Sequence, residues 1–69
     1  MHVTIVIGRD AEIDLSQPVV QQVEGGAYTT TRIAPGGQRI VIKGDAPGEE
    51  RLCFQLEDDT EIDIDVVVS

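Results

Sequence analysis

The chain has 69 residues and carries thirteen acidic against five basic side chains, for a net charge of −8. A chain of this size makes one domain, residues 1–69, whose single core supplies about 3–5 kcal/mol of net stability. The charge argues against direct nucleic-acid binding, because Lys and Arg on phosphates supply most of that affinity, and against an anionic membrane surface. Cys53 is the single cysteine, so no intrachain disulfide forms. With His2 it makes too few soft ligands for a zinc site.

The N-terminus lacks the basic region and apolar stretch of a signal peptide. No apolar run approaches the roughly 20 residues of a transmembrane helix. The expected compartment is cytoplasmic. In the first segment Val3, Ile5 and Ile7 alternate with Thr4 and Val6, which predicts a strand ending at Gly8-Arg9-Asp10, with Val6 partly burying the second face. Glu12–Leu15 offers a second short alternation through Ile13 and Leu15. Ser16-Gln17-Pro18 breaks it, since proline cannot donate to a ladder.

Pro18–Glu24 admits two readings. Ser16 could cap a single short helix ended by Gly25-Gly26. Against this, valine favours strands, and about two turns of helix are marginal alone. The strand reading is preferred, and the helix is its alternative. Ala27–Ile33 is threonine-rich and reads as a strand. Pro35-Gly36-Gly37 then fits a type II turn, with Pro second and Gly third. Arg39–Lys43 follows with Ile40 and Ile42 on one face and Val41 on the other, and Gly44–Gly48 forms the next loop.

The last two strands alternate most cleanly. Leu52, Phe54 and Leu56 share one side of Glu50–Glu57, and Ile62, Ile64, Val66 and Val68 share one side of Thr60–Val68. Both apolar sets fall on even positions. A two-residue loop at Asp58-Asp59 would place Leu56 beside Glu61 and is excluded, because a one-residue slip turns every side chain to the wrong face. A three-residue loop pairs Phe54 with Ile62, Leu52 with Ile64, Arg51 with Asp65 and Gln55 with Glu61. The next register would oppose Glu57 to Glu61, an unfavourable like-charge pair. The three-residue hairpin requires Asp59 or its neighbour to adopt a left-handed conformation, which aspartate tolerates.

These segments predict an all-β domain: a compact small sandwich or open barrel of six to seven short, mainly antiparallel strands ending in the Glu50–Glu57/Thr60–Val68 hairpin. The turn–strand–loop–hairpin order from Ala34 onward resembles that of immunoglobulin-like domains. That is an analogy of fold and carries no function.

Candidates for chemistry are few. His2 lacks a nucleophile and an orienting group, so it reads as a surface residue. Cys53 falls opposite Asp63, and a carboxylate there raises a thiol pKa, the wrong direction for a reactive thiolate. The glycine pairs lack the Lys-Ser/Thr of a phosphate-binding loop and read as turns. Glu57, Asp58, Asp59, Glu61, Asp63 and Asp65 are the one concentrated feature. They fit a solvated face that discourages edge aggregation, a docking surface for a basic protein, or a row of charges imitating nucleic acid. A calcium site is the weakest reading, because the EF-hand pattern is missing.

The expectation is therefore a non-enzymatic acidic interaction or assembly domain without a cofactor, docking on a larger protein or serving as a subunit, with homo-oligomers allowed. The alternative is an acidic inhibitor or nucleic-acid mimic in a basic cleft. A calcium-binding β-domain and a small enzyme using Asp63 and Asp65 near Arg51 rank below both.

Overall fold

The computed structural model describes all 69 residues. Seven strands form, in the order β1 His2–Ile5, β2 Asp10–Asp14, β3 Val19–Glu24, β4 Thr29–Ile33, β5 Arg39–Gly44, β6 Gly48–Leu56 and β7 Glu61–Val68. There is no helix, so none is long and apolar enough to cross a membrane. The strands make a four-stranded sheet, β1-β7-β6-β3, and a three-stranded sheet, β2-β5-β4. All pairs are antiparallel except β1 with β7, which joins the two ends of the chain in parallel.

Between the sheets lies one core: Ile5, Ile13, Val19, Ile40, Ile42, Leu52, Phe54, Leu56, Ile64, Val66 and Val68. Phe54, the largest fully buried side chain, sits on β6 with Ile62 of β7 opposite it. Fully burying one such side chain is worth about 1.5–3 kcal/mol. The radius of gyration is 11.1 Å, against about 11 Å for a compact chain of this length. If β2 to β7 are lettered B to G, the sheets read B-E-D and C-F-G, the immunoglobulin-type order. The first strand sits beside β7 rather than in the sheet with β2. The likeness is one of strand order alone.

The closing hairpin has the register that parity selects: Phe54 opposite Ile62, Leu52 opposite Ile64, Arg51 opposite Asp65 and Gln55 opposite Glu61. Asp59 N–H donates to Leu56 C=O at 3.0 Å, and Leu56 N–H donates to Thr60 C=O at 2.8 Å. Asp59 is left-handed at φ 69°. At the other predicted turn, Gly37 N–H donates to Ala34 C=O at 2.9 Å, with Gly36 at φ 90°, as type II requires.

The strand reading of Pro18–Glu24 holds, and its alternative, the short helix, does not form. Val19, Gln21, Gln22 and Glu24 pair with β6, with register shifts between Val19 and Gln21 and between Gln22 and Glu24 that leave Val20 and Val23 without a partner in the ladder. Three expectations about strand bounds are corrected. The first strand stops at Ile5, because Arg9 N–H bonds Val6 C=O at 2.9 Å around Gly8 at φ 82°. That turn leaves Val6 and Ile7 exposed, where alternation placed Ile7 with the core. The second strand lies at Asp10–Asp14 rather than Glu12–Leu15, held by five consecutive pairs with β5. The fourth begins at Thr29 and not Ala27, because a carboxylate captures the segment ahead of it.

Candidate functional site

The outer face of the four-stranded sheet collects the acidic side chains. Alternation along β7 turns Glu61, Asp63 and Asp65 outward, while Ile64, Val66 and Val68 fill the core. Register brings Glu49, Arg51, Cys53 and Gln55 of β6 alongside them, and Glu24 of β3 lies opposite Cys53. His2 of β1 lies opposite Asp65, within a strand rather than at a loose end. Glu24, Glu49, Glu61, Asp63 and Asp65 thus share a face with a single arginine, Arg51.

The outer face of the other sheet is balanced. Asp10, Glu12 and Asp14 of β2 lie beside Arg39 and Lys43 of β5 and Arg32 of β4. Ion pairs cross it at 2.7 Å (Arg39–Asp14) and 3.6 Å (Arg32–Asp10).

The six predicted acids are all exposed, yet they do different jobs. Asp65 Oδ1 accepts from Arg51 Nε at 2.9 Å. That bond, with the N-terminus and His2 nearby, holds Asp65 below the usual carboxylate range. Asp58 shapes the turn, accepting from the Thr60 hydroxyl, from Gln17 Nε2 at 2.9 Å and from Thr60 N–H at 3.1 Å. These bonds keep it ionised below its ordinary range, with the Thr60 hydroxyl contributing most. Asp59 accepts weakly from Gln55 Nε2 at 3.4 Å. Glu57 contributes its backbone, donating to Pro18 C=O at 3.0 Å. Glu61 and Asp63 are the two in the row without a cationic partner.

Cys53 sits opposite Asp63, as the register requires, but it is buried at 6% exposure despite its place on the outer face. It occupies an inner strand, with β7 on one side and β3 on the other. Its thiol donates to Glu61 Oε1 at 3.4 Å. Burial, followed by Asp63 and Glu61, pushes its pKa up to about 12. A shallow depression of about 550 Å³, lined in part by His2, Glu49, Arg51, Asp65 and Val67, lies open on this face. No three His, Cys, Asp or Glu side chains converge as a metal-ligand set.

Sequence reasoning missed Glu50. Its Oε1 accepts from Gly26 N–H at 2.8 Å and Ala27 N–H at 2.9 Å. Oε2 accepts from Tyr28 N–H at 3.0 Å and from the buried Thr29 hydroxyl at 2.8 Å. Partial burial pushes the carboxyl up, but the four hydrogen bonds outweigh it and leave the pKa low. Gly25-Gly26 therefore does open an anion cradle, and its occupant is the chain's own carboxylate. Glu50 looked like an ordinary member of an acidic pair in sequence. Only the proximity of β6 to the β3–β4 crossover gives it this role.

The chain matches no protein-family model, and no curated protein matches it in sequence.

Proposed function

We propose that this chain is a non-enzymatic protein–protein interaction domain that docks the outer face of its four-stranded sheet on a basic surface of a larger protein. The observation that carries this reading is the unequal division of charge between the two faces: Glu24, Glu49, Glu61, Asp63 and Asp65 against Arg51 on one, three acids against three bases on the other. Complementary charge steers association and selects partners, and the acids are carried on rigid strands rather than on loops. The half-buried Val67, in the same row, adds an apolar contact within the charged field.

A narrower reading is imitation of nucleic acid. Alternate residues on β7 lie about 6.8 Å apart, near twice the phosphate step along one DNA strand. Glu61 and Asp63 fit such a row. Asp65 fits it poorly, since Arg51 already neutralises it. The broad docking surface is accordingly the better supported of the two.

The test is affinity capture from source lysate at low and high salt, using the wild type, a Glu61→Lys/Asp63→Lys variant and a Glu12→Lys control on the balanced face. Docking through the acidic face requires capture of a defined partner that salt and the double reversal abolish and Glu12→Lys spares. Capture indifferent to the double reversal would remove the acidic face from the interaction. Competition by duplex DNA for the captured partner would favour the mimic.

A further inference from the structure

The four sheet edges are not guarded alike. Alternation of backbone groups along β2 points those of Asp10, Glu12 and Asp14 outward, since Gly44 N–H bonds Arg9 C=O and Leu15 N–H bonds Gln38 C=O on the β5 side. A second strand added there meets three carboxylates. The β3 edge is broken by two bulges. β1 offers only His2 and Thr4 before the Val6–Arg9 turn ends it. The β4 edge, Thr29–Ile33, has no acid, no bulge and no proline within it.

We infer that β4 is a self-association edge, where a second copy of this chain adds its own β4 antiparallel to the first and joins the two three-stranded sheets into one. Tyr28 C=O accepts from Asp45 N–H, and Ala34 N–H donates to Arg39 C=O. Those groups face β5, so the backbone groups of Thr29, Thr31 and Ile33 face out. Register follows from the side chains and from the length of β4. A pairing centred on Thr30 would set Ile33 against Ala27, which lies outside the strand with its N–H already bound to Glu50. Centred on Thr31, the pairing sets Thr29 opposite Ile33 and Thr30 opposite Arg32. Centred on Arg32 it would oppose two arginines, and centred on Ile33 it would set Thr31 against Pro35, which has no N–H to give.

Two further features suit this pairing. The Thr31 hydroxyl is shut off from solvent with no hydrogen-bond partner within the chain, and rotation about χ1 toward the open edge brings it to the second copy's Thr31 directly opposite. Ile33, 43% exposed beside a shallow apolar depression with Ala34, Pro35 and Val41, is covered in the same step. Antiparallel pairing of identical strands is two-fold and closes at the dimer. This edge belongs to the sheet opposite the acidic face, so the inference stands whether or not that face docks.

The two surfaces respond to salt in opposite senses. Two copies of net charge −8 repel each other, so screening strengthens the dimer, whereas docking on a basic partner weakens. A five-residue edge is a small interface, which makes the dimer concentration-dependent. Sedimentation equilibrium at protein concentrations up to about 1 mM, in about 0.05 M and about 0.5 M salt, reads this directly. A monomer–dimer equilibrium tightening with salt is expected. Thr30→Arg, which sets a second guanidinium against Arg32 of the opposing copy, raises Kd about fivefold or more, and Thr30→Glu lowers it by a similar factor. Both variants lose the Thr30–Asp45 hydrogen bond, so the opposite signs isolate the pairing with Arg32. Thr31→Pro removes the outward N–H of both central bonds and abolishes the dimer, with far-UV circular dichroism confirming the fold. A monomer throughout, a dimer indifferent to Thr30, or growth beyond the dimer by head-to-tail pairing of β4 on β2 would overturn the inference.

Discussion

Glu50 is the residue on which most of the local order of the β3–β4 crossover depends. Charged hydrogen bonds contribute about 1.5–3 kcal/mol each before the cost of holding the groups, and a net loss of about 2 kcal/mol is expected for Glu50→Ala. Urea denaturation measures this against a small total. The low folded pKa of Glu50 adds a pH dependence. A carboxyl depressed in the folded state contributes stability that is full above its unfolded value, near 4.5, and is lost as pH falls through the lower folded value. Wild-type stability should therefore decline below about pH 4.5, and part of that decline should be missing from Glu50→Gln, which starts lower. Cys53 gives a second test. A buried thiol held to about 12 is almost wholly protonated at neutral pH, and only the thiolate attacks. Alkylation by iodoacetamide at pH 7.5 (about a unit below a free cysteine's pKa) should run at least about a hundredfold slower than for a free cysteine, rising to that rate in denaturant.

At the scale of elements, the β6–β7 hairpin holds the molecule together, since β7 also receives β1 and β6 also receives β3. Truncating Phe54 to Ala should cost about 3–5 kcal/mol, the whole net stability of a domain this size. The variant should be largely unfolded at 25 °C by circular dichroism. The turn can be tested without touching the core. Asp59 at φ 69° tolerates the left-handed region, a β-branched residue does not, and glycine adopts it freely. Asp59→Val should lower the denaturation midpoint, and Asp59→Gly should hold or raise it. β3 shows how elements are decided jointly. Val19–Glu24 alone is too short and too β-branched for a stable helix, but what makes it a strand is the open edge of β6, joined by the Gln21–Gln55 side-chain bond at 2.6 Å.

For the whole molecule, the parallel pairing of His2–Ile5 with Asp65–Val68 means that the fold closes only when the chain's ends meet. Topologies dominated by such non-local pairs fold in milliseconds to seconds, not microseconds. Stopped-flow circular dichroism should find refolding in that range, and a microsecond phase carrying the full amplitude would contradict it. The same topology divides the charge. Four of the five acids on the acidic face come from β6 and β7, but Glu24 arrives from β3 and the second sheet draws off Arg32, Arg39 and Lys43 to balance β2.

How much of this was readable in one dimension differs by feature. The all-β class, the type II turn at Pro35-Gly36 and the register of the closing hairpin follow from the amino acids alone, because side-chain alternation and turn conformations are local and a one-residue error would expose the apolar face. The outward row of Glu61, Asp63 and Asp65 follows from the same alternation. The stop of β1 at Ile5, the two register shifts that set β3 on β6, the capture of Gly26–Thr29 by Glu50 and the pairing of Asp65 with Arg51 are of two kinds. The Arg51 contact was implicit in hairpin register. The rest needed strands distant in sequence to be placed side by side, and hydrogen bonds between such strands leave no periodic trace in either one. The tertiary structure alone decided that one face keeps its charge, because compensation depends on which strands become neighbours.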